Sequence, residues 1–394
     1  MKAMAETRPA YGAPLREQWP LDPEVTYLNH GGYGLTPHAV LAAQAEWRMR
    51  IERNPTRFMT QDYPEALRAA AAALAEHIGA AASDVVFVEN ATTGCNAVLR
   101  SLDFRPGEEI LTTSLAYGAI AKAIRYVALR AGAVIVTADI KLPVTGPQDV
   151  IAAVTARLGK RTRLCVFDHV ASSSALILPV AELTRLAHDA GARVLIDGAH
   201  APGLVPLDVP ASGAEWYVGN CHKWLMAPRA CGFLWARPPA QSLIHPLSIS
   251  HGLGAGFTAE FDWTGTRDPT PFLCVPAGID FHRRLGGRLL MTRNSWLARE
   301  AARLLGDAWR AATSGPPAAY AAMASLRLPG TEGATSEQAA ALQRRLSEEH
   351  RVEAAIFPQA GNLWLRVSSQ AYNELADYDR LATVMPAVLQ GLRG

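Results

Sequence analysis

Between Glu65 and Asp208 the chain alternates segments of helical composition with short, unbroken apolar runs. PEALRAAAAALAEHIG reads as a helix and DVVFV as a strand; ATTGCNAVLRSL reads as a helix and EEILTT as a strand; YGAIAKAIRYVALRAG is a helix closed by glycine, and AVIVTA follows as a strand. The rhythm continues through the helix QDVIAAVTARLG, the strand TRLCVFD, the helix PVAELTRLAHDAG and the strand ARVLID. This alternation predicts parallel βαβ units, and apolar runs without polar interruption predict strands covered on both faces. Two further runs, EWYVGN and CGFLWA, suggest a strand pair, and a looser stretch rich in Gly and Pro spans Pro238 to Pro276. Beyond Leu285 come longer helical segments, RRLGGRLLMTRNSWLAREAARLLGDAW and SEQAAALQRRLSEEH, with strand candidates SLRLP, EAAIF and LWLRVS. The pattern therefore predicts an α/β domain over residues 31–280 and a smaller C-terminal α+β domain over 281–394, preceded by an N-terminal segment, 1–30.

Composition narrows the function classes. The 394 residues are 49% hydrophobic and 19% charged, with a net charge of +2 and no basic tract, so nothing suggests a nucleic-acid footprint. Cys95, Cys165, Cys221, Cys231 and Cys274 form no CxxC pair, which favours reduced, buried thiols. The N-terminus has no apolar core of a signal peptide, and no apolar run is long enough to span a bilayer; a cytoplasmic location without membrane contact is expected.

Three polar sites fall where strands give way to loops, the place where open α/β sheets collect ligands. In ENATTGCN, small residues and two threonines open a helix whose N–H groups suit a phosphate, although the same residues also serve as ordinary caps. In LIDGAHAPG, Asp197 ends an apolar strand and His200 follows. In GNCHKWLMAPRACGFLW, Lys223 sits among apolar residues, 26 positions after Asp197. A desolvated lysine suits Schiff-base formation or general base catalysis, whereas a lysine that merely reaches the surface from such a segment has no such role. A phosphate cradle, a strand-end aspartate and a later buried lysine together match the needs of pyridoxal 5'-phosphate: the lysine anchors it, the aspartate keeps its pyridine nitrogen protonated, and the helix start holds its phosphate.

ATTGCN, LIDGAHAPG and GNCHKW, in this order, resemble the class V aminotransferases of fold type I. YLNHGGYGLTP, DHVASSSALILP and DWTGTRDPTPF are similar to the isopenicillin N epimerase-like branch of that family. The resemblance implies a large domain with a mostly parallel, seven-stranded type of sheet between helices, and a homodimer whose active site is shared across the interface. It implies phosphate contacts from Thr92 and Thr93, with Asn220 and His222 as further donors. Tyr117 would stack on the pyridine ring, Asp197 would meet its nitrogen, and His200 would lie near the ring oxygen. Ser172 stands where desulfurases commonly carry asparagine. Thr266 would reach the phosphate of the neighbouring subunit, and Arg366 would grip a substrate carboxylate as a bidentate pair. The segment 1–30 would contribute to the small domain and the active site, where Asn29 and His30 would line the same pocket.

The reaction is less constrained. Cysteine desulfuration through a persulfide needs a mobile-loop thiol, and Leu326 to Leu365 contains no cysteine. Epimerisation needs Lys223 on one face of the substrate and an acid such as Tyr117 on the other. Elimination with loss of a β-substituent needs only Lys223, and transamination needs a second substrate in the same site. The expected order is epimerase, then carbon–sulfur lyase, then aminotransferase. HGLGAGF lacks the third glycine and the βαβ start of a dinucleotide site, and His245, His251 and His282 lack metal-ligand spacing, so no metal is expected.

Overall fold

The computed structural model describes residues 10–390. Seven apolar runs become the strands of one sheet: β1 (Val85–Val88), β2 (Glu109–Thr113), β3 (Val134–Ala138), β4 (Thr162–Asp168), β5 (Arg193–Gly198), β6 (Trp216–Asn220) and β7 (Gly232–Ala236), in the spatial order β1-β7-β6-β5-β4-β2-β3. β7 runs antiparallel to both neighbours, and the remaining adjacent pairs are parallel. The strand order reverses between β2 and β4, so the loops leaving these two strands open a crevice at a switch point.

Helices cover both faces. On one face, α3 (Ala91–Ser101) and α4 (Gly118–Ala131) bury Cys95, Val98 and Ile124 against Val86, Ile110, Leu164 and Leu195. On the other, α2 (Tyr63–His77) and α6 (Val180–Asp189) bury Leu67, Leu74, Leu183 and Ala187 against Phe87, Cys165, Val194 and Ile196. The remaining α-helices of nine or more residues preceding the C-terminal unit are α1 (His38–Arg53), α5 (Pro147–Thr155) and α7 (Val275–Arg284). The expectation of full coverage fails at β3, where Val134 and Ile135 are exposed. This strand is the sheet's edge, flanked by β2 alone, and an apolar run by itself does not distinguish a central strand from an edge.

The C-terminal region forms a second, three-stranded antiparallel sheet of β8 (Met323–Arg327), β9 (Ala355–Gln359) and β10 (Asn362–Ser368), ordered β9-β10-β8. It is backed by α8 (Arg288–Trp309), α9 (Ser336–His350) and α10 (Leu375–Gln390). Helix α9 starts with a reciprocal capping box between Thr335 and Gln338. A division at 280/281 falls inside α7, and the chain instead breaks at Gly286 and Gly287, both at positive φ, before α8. The N-terminal segment joins the small sheet region: Thr26–Tyr27 pairs with Val352–Glu353, and the Ser368 N–H donates to the Leu28 carbonyl at 2.7 Å. That pairing sets Asn29 and His30 between the two sheets.

Candidate active site

A cavity of about 270 Å³ opens at the ends of β4, β5 and β6, at the lower end of the usual size for small-molecule sites. Its wall includes Thr92, Tyr117, Ser172, Asp197, His200, Asn220, His222 and Lys223, which the sequence nominated, together with Asn90, Asp168 and Tyr33, which it did not.

The helix start is built as a cradle. Asn90 caps α3 by accepting the Thr93 N–H at 2.9 Å, and Asn220 accepts the Ala91 N–H at 2.8 Å. Thr92 stands on the cavity wall between these two capped positions, while Thr93 is drawn into the cap. The helix packs close to the sheet because Gly94 faces Val218, where a Cβ would come within 2.8 Å of a methyl carbon.

The loop between β6 and β7 carries Lys223. The N–H groups of Cys221 and His222 both donate to the Cys231 carbonyl, and Met226 and Ala230 adopt left-handed backbone at either end of the turn. His222 donates from Nδ1 to the same carbonyl at 2.8 Å, and burial lowers its pKa to about 4, so the ring is neutral with Nε2 available. His30 is held at about 4 by burial as well; its Nε2 meets the Lys223 carbonyl at 3.0 Å and its Nδ1 meets the Tyr372 hydroxyl at 2.9 Å. Expected to line the pocket, His30 instead lies behind it, clamping the lysine's backbone. Gly34 permits this approach, since a Cβ there would lie 1.8 Å from the His222 carbonyl oxygen.

The Lys223 Nζ lies 3.2 Å from His200 Nε2. Burial, then the Arg366 charge, lowers the ammonium to about 7, although Asp197 opposes the shift. Burial likewise pushes the His200 pKa well below its usual range, with Lys223 the next contributor, so the imidazole is neutral. Its Nδ1 is buried without a hydrogen-bond partner among the described residues. Asp197 accepts the Ala199 N–H at 3.0 Å, and burial raises its pKa.

Arg366, on the central strand of the small sheet, is 2% exposed. Its Nη1 donates to the Ser172 carbonyl at 2.8 Å and its Nη2 to Asn29 Oδ1 at 2.9 Å, the group lies over the Phe357 ring, and its Nε has no partner. Burial brings its pKa down only to about 10, so it stays charged at neutral pH. Among the described residues no carboxylate pairs with it, and a buried charge without a counter-ion is costly. Thr266 does not line this cavity; it is exposed on the loop between the short helices Phe257–Asp262 and Thr270–Leu273.

All five cysteines are buried and unpaired. Burial raises Cys165 and Cys274 to about 12 and Cys95 and Cys231 well above the usual thiol range, and none lines the cavity. Thiolate chemistry at this site therefore has no donor among the described residues.

Residues 26–266 match the family model described as aminotransferase class-V. The chain belongs to the class-V aminotransferase family. Among class-V relatives, it is 34% identical to isopenicillin N epimerase of Streptomyces clavuligerus, over 93% of this chain and 96% of that one. It is 30% identical to an L-cysteine desulfhydrase of Arabidopsis thaliana, over 91% of this chain and 86% of that one. The solved structure of the cystine C–S lyase C-DES shares the fold, with a TM-score of 0.80 at 22% identity, covering 92% of this chain and 97% of that one.

The residues of this cavity match the needs of pyridoxal 5'-phosphate. A capped helix start with Thr92 on the wall, a buried strand-end carboxylate, an orphaned imidazole nitrogen and an amine near pKa 7 meet in one cavity, and they fit that group.

Proposed function

We propose that this class-V enzyme uses pyridoxal 5'-phosphate to labilise the α-hydrogen of an amino-acid substrate, with Lys223 as the base. The observation that carries this reading is the pair of buried cations in one site, an amine that gives up its proton near pH 7 and a guanidinium with no anion of its own. Arg366 would bind the substrate carboxylate through its unpartnered Nε and an Nη group, with the contacts to Ser172 and Asn29 orienting the guanidinium. The cofactor supplies an electron sink for the charge left at the α-carbon. Asp197 would hold the ring nitrogen, His200 the ring oxygen, and Thr92, Asn220 and His222 the phosphate. Thr93 would keep the cradle in shape through its cap, Ser172 and Asn29 would orient Arg366, and Thr266 would complete the site of a partner copy in a homodimer.

Lys223 is the one amine on the cavity wall, and a single base suffices for β-elimination. Its Nζ takes the α-proton, the β-substituent leaves with the electron pair of its bond to Cβ, and Lys223 returns the proton to that leaving group. Hydrolysis then yields a keto acid and ammonia. A sulfur-bearing substrate gives a good leaving group, in keeping with the desulfhydrase relative. Epimerisation is the second reading, favoured by Tyr117, which lines the cavity with 44% of its surface exposed and offers a phenol as the acid for the other face.

The test is incubation of holoenzyme in heavy water with L-cysteine and a panel of L-amino acids. Keto acid with loss of the β-substituent identifies the lyase, whereas solvent deuterium at the α-carbon of a D-product without keto acid identifies the epimerase. Tyr117→Phe should spare the first reaction and suppress the second. Absence of α-hydrogen exchange with every substrate would contradict both readings.

A further inference from the structure

Strands β4 and β5 end in aspartates. Asp168 and Asp197 are register partners on adjacent parallel strands, so their side chains leave the same face of the sheet. Both line the cavity, at 5% and 4% exposure. Asp168 takes its own N–H and that of Tyr117, the residue that opens α4 at the far side of the switch point. Asp197 has the Ala199 N–H and the charge of Lys223 in its favour.

The surroundings offer little else to a second anion. Cys95 of α3 is a neighbour of both aspartates, and burial first, then the Asp197 charge, keeps its thiol protonated. From the loop after β5 comes His200, and from the loop after β6 come His222 and Lys223; the imidazoles are neutral and the amine is half-deprotonated near pH 7. Arg366, from the small sheet, is turned to Ser172 and Asn29. His169 is bonded to the Tyr217 hydroxyl at 2.7 Å. Two carboxylates sharing one buried site do not both ionise readily, and the one that lacks a cation's charge in its favour keeps the proton.

We propose that Asp168 is a positioning residue that stays a neutral carboxylic acid, ties the Tyr117 turn to the cavity floor, and leaves Asp197 the single carboxylate charge facing the cofactor nitrogen. Burial first, and Asp197 second, push Asp168 well above the usual carboxylate range. The proposal rests on the functional reading above and deepens it.

Asparagine reproduces a neutral acid's shape and keeps an acceptor for the Tyr117 N–H, whereas alanine removes it. Asp168→Asn holoenzyme should therefore keep its visible cofactor band, the pH dependence of that band, and its affinity for pyridoxal phosphate. Asp168→Ala should weaken that affinity by about five- to tenfold, the loss of one hydrogen bond. A second readout needs no cofactor. An acid whose folded pKa is raised gives stability at low pH that is lost as pH rises from the ordinary carboxylate range towards the folded pKa. The buried histidines and Lys223 contribute equally to wild type and variant, so urea unfolding of the two apoenzymes between pH 5 and pH 8 should differ in pH slope, stability rising more with pH in Asp168→Asn by up to about one linked proton.

A shift of the band's titration by about one pH unit in Asp168→Asn, or an unchanged pH slope in its apoenzyme, would mean that Asp168 is ionised and would overturn the proposal. Equal affinity of the asparagine and alanine variants would remove the tether. If wild-type protein never develops the visible band with pyridoxal phosphate, the functional reading itself fails, whereas a wild-type band that is lost in Asp168→Asn contradicts only the role of Asp168.

Discussion

Lys223 and Arg366 are both buried cations, yet they behave in opposite ways. Lys223 sits in the loop between β6 and β7 of the large sheet, where burial brings an ordinary amine to about 7 and makes it a base. Arg366 sits on the middle strand of the small sheet, where comparable burial reaches only about 10 and leaves the guanidinium charged. The same desolvation thus has two consequences, set by the intrinsic basicity of the group. An amine escapes its burial cost by losing a proton, whereas a guanidinium requires an anion. One region of the molecule is prepared for proton transfer, and the other for holding a carboxylate.

The largest expected effect is at the amine. Lys223→Ala should abolish the visible cofactor band and lower turnover by roughly 10⁴-fold, the upper range for loss of a general base, and full activity in this variant would remove Lys223 from the mechanism. Next comes the guanidinium. Arg366→Ala should raise KM by about 150-fold or more, the loss of at least two charge-assisted hydrogen bonds, with cofactor content unchanged. Arg366→Met should stabilise the apoenzyme by about 1–3 kcal/mol in urea, because it removes a buried charge without a counter-ion. A destabilised Arg366→Met protein would show that the guanidinium is satisfied by its contacts to Ser172 and Asn29.

The pH dependence of the amine sharpens the contrast. Capture of pyridoxal phosphate requires the neutral form of Lys223, so its rate with apoenzyme should rise with pH and level off above about 7. A rate that continues to climb towards pH 10 would indicate a lysine of ordinary basicity. The smallest effect is expected at Asn29, where alanine should cost about three- to tenfold in KM through loss of one hydrogen bond that orients Arg366.

The parallel βαβ organisation and the positions of Lys223 and Asp197 were legible because each depends on local signals: an apolar run, its end, and the polar residue placed there. Long-range pairing was not legible. TRLCVFD ends in an aspartate just as ARVLID does, but only the register of β4 on β5 sets Asp168 beside Asp197. His30 reads as a pocket residue from its neighbourhood in YLNHGGYG, yet its ring bonds are made to the Lys223 backbone, 193 positions away, and to Tyr372. The Asn29 contact to Arg366 spans 337 positions and depends on Thr26–Tyr27 pairing with Val352–Glu353. Likewise AVIVTA carries the composition of a central strand, and its place at the sheet's edge follows from strand order.

The most direct measurement is borohydride reduction of the holoenzyme followed by peptide mapping. The chain has five lysines, Lys2, Lys122, Lys141, Lys160 and Lys223. A phosphopyridoxyl group on the peptide containing Lys223, and on no other, is the predicted result. Its appearance on Lys122, Lys141 or Lys160, which are exposed, or on no lysine at all, would contradict the assignment of the buried amine as the cofactor's anchor and the reaction's base.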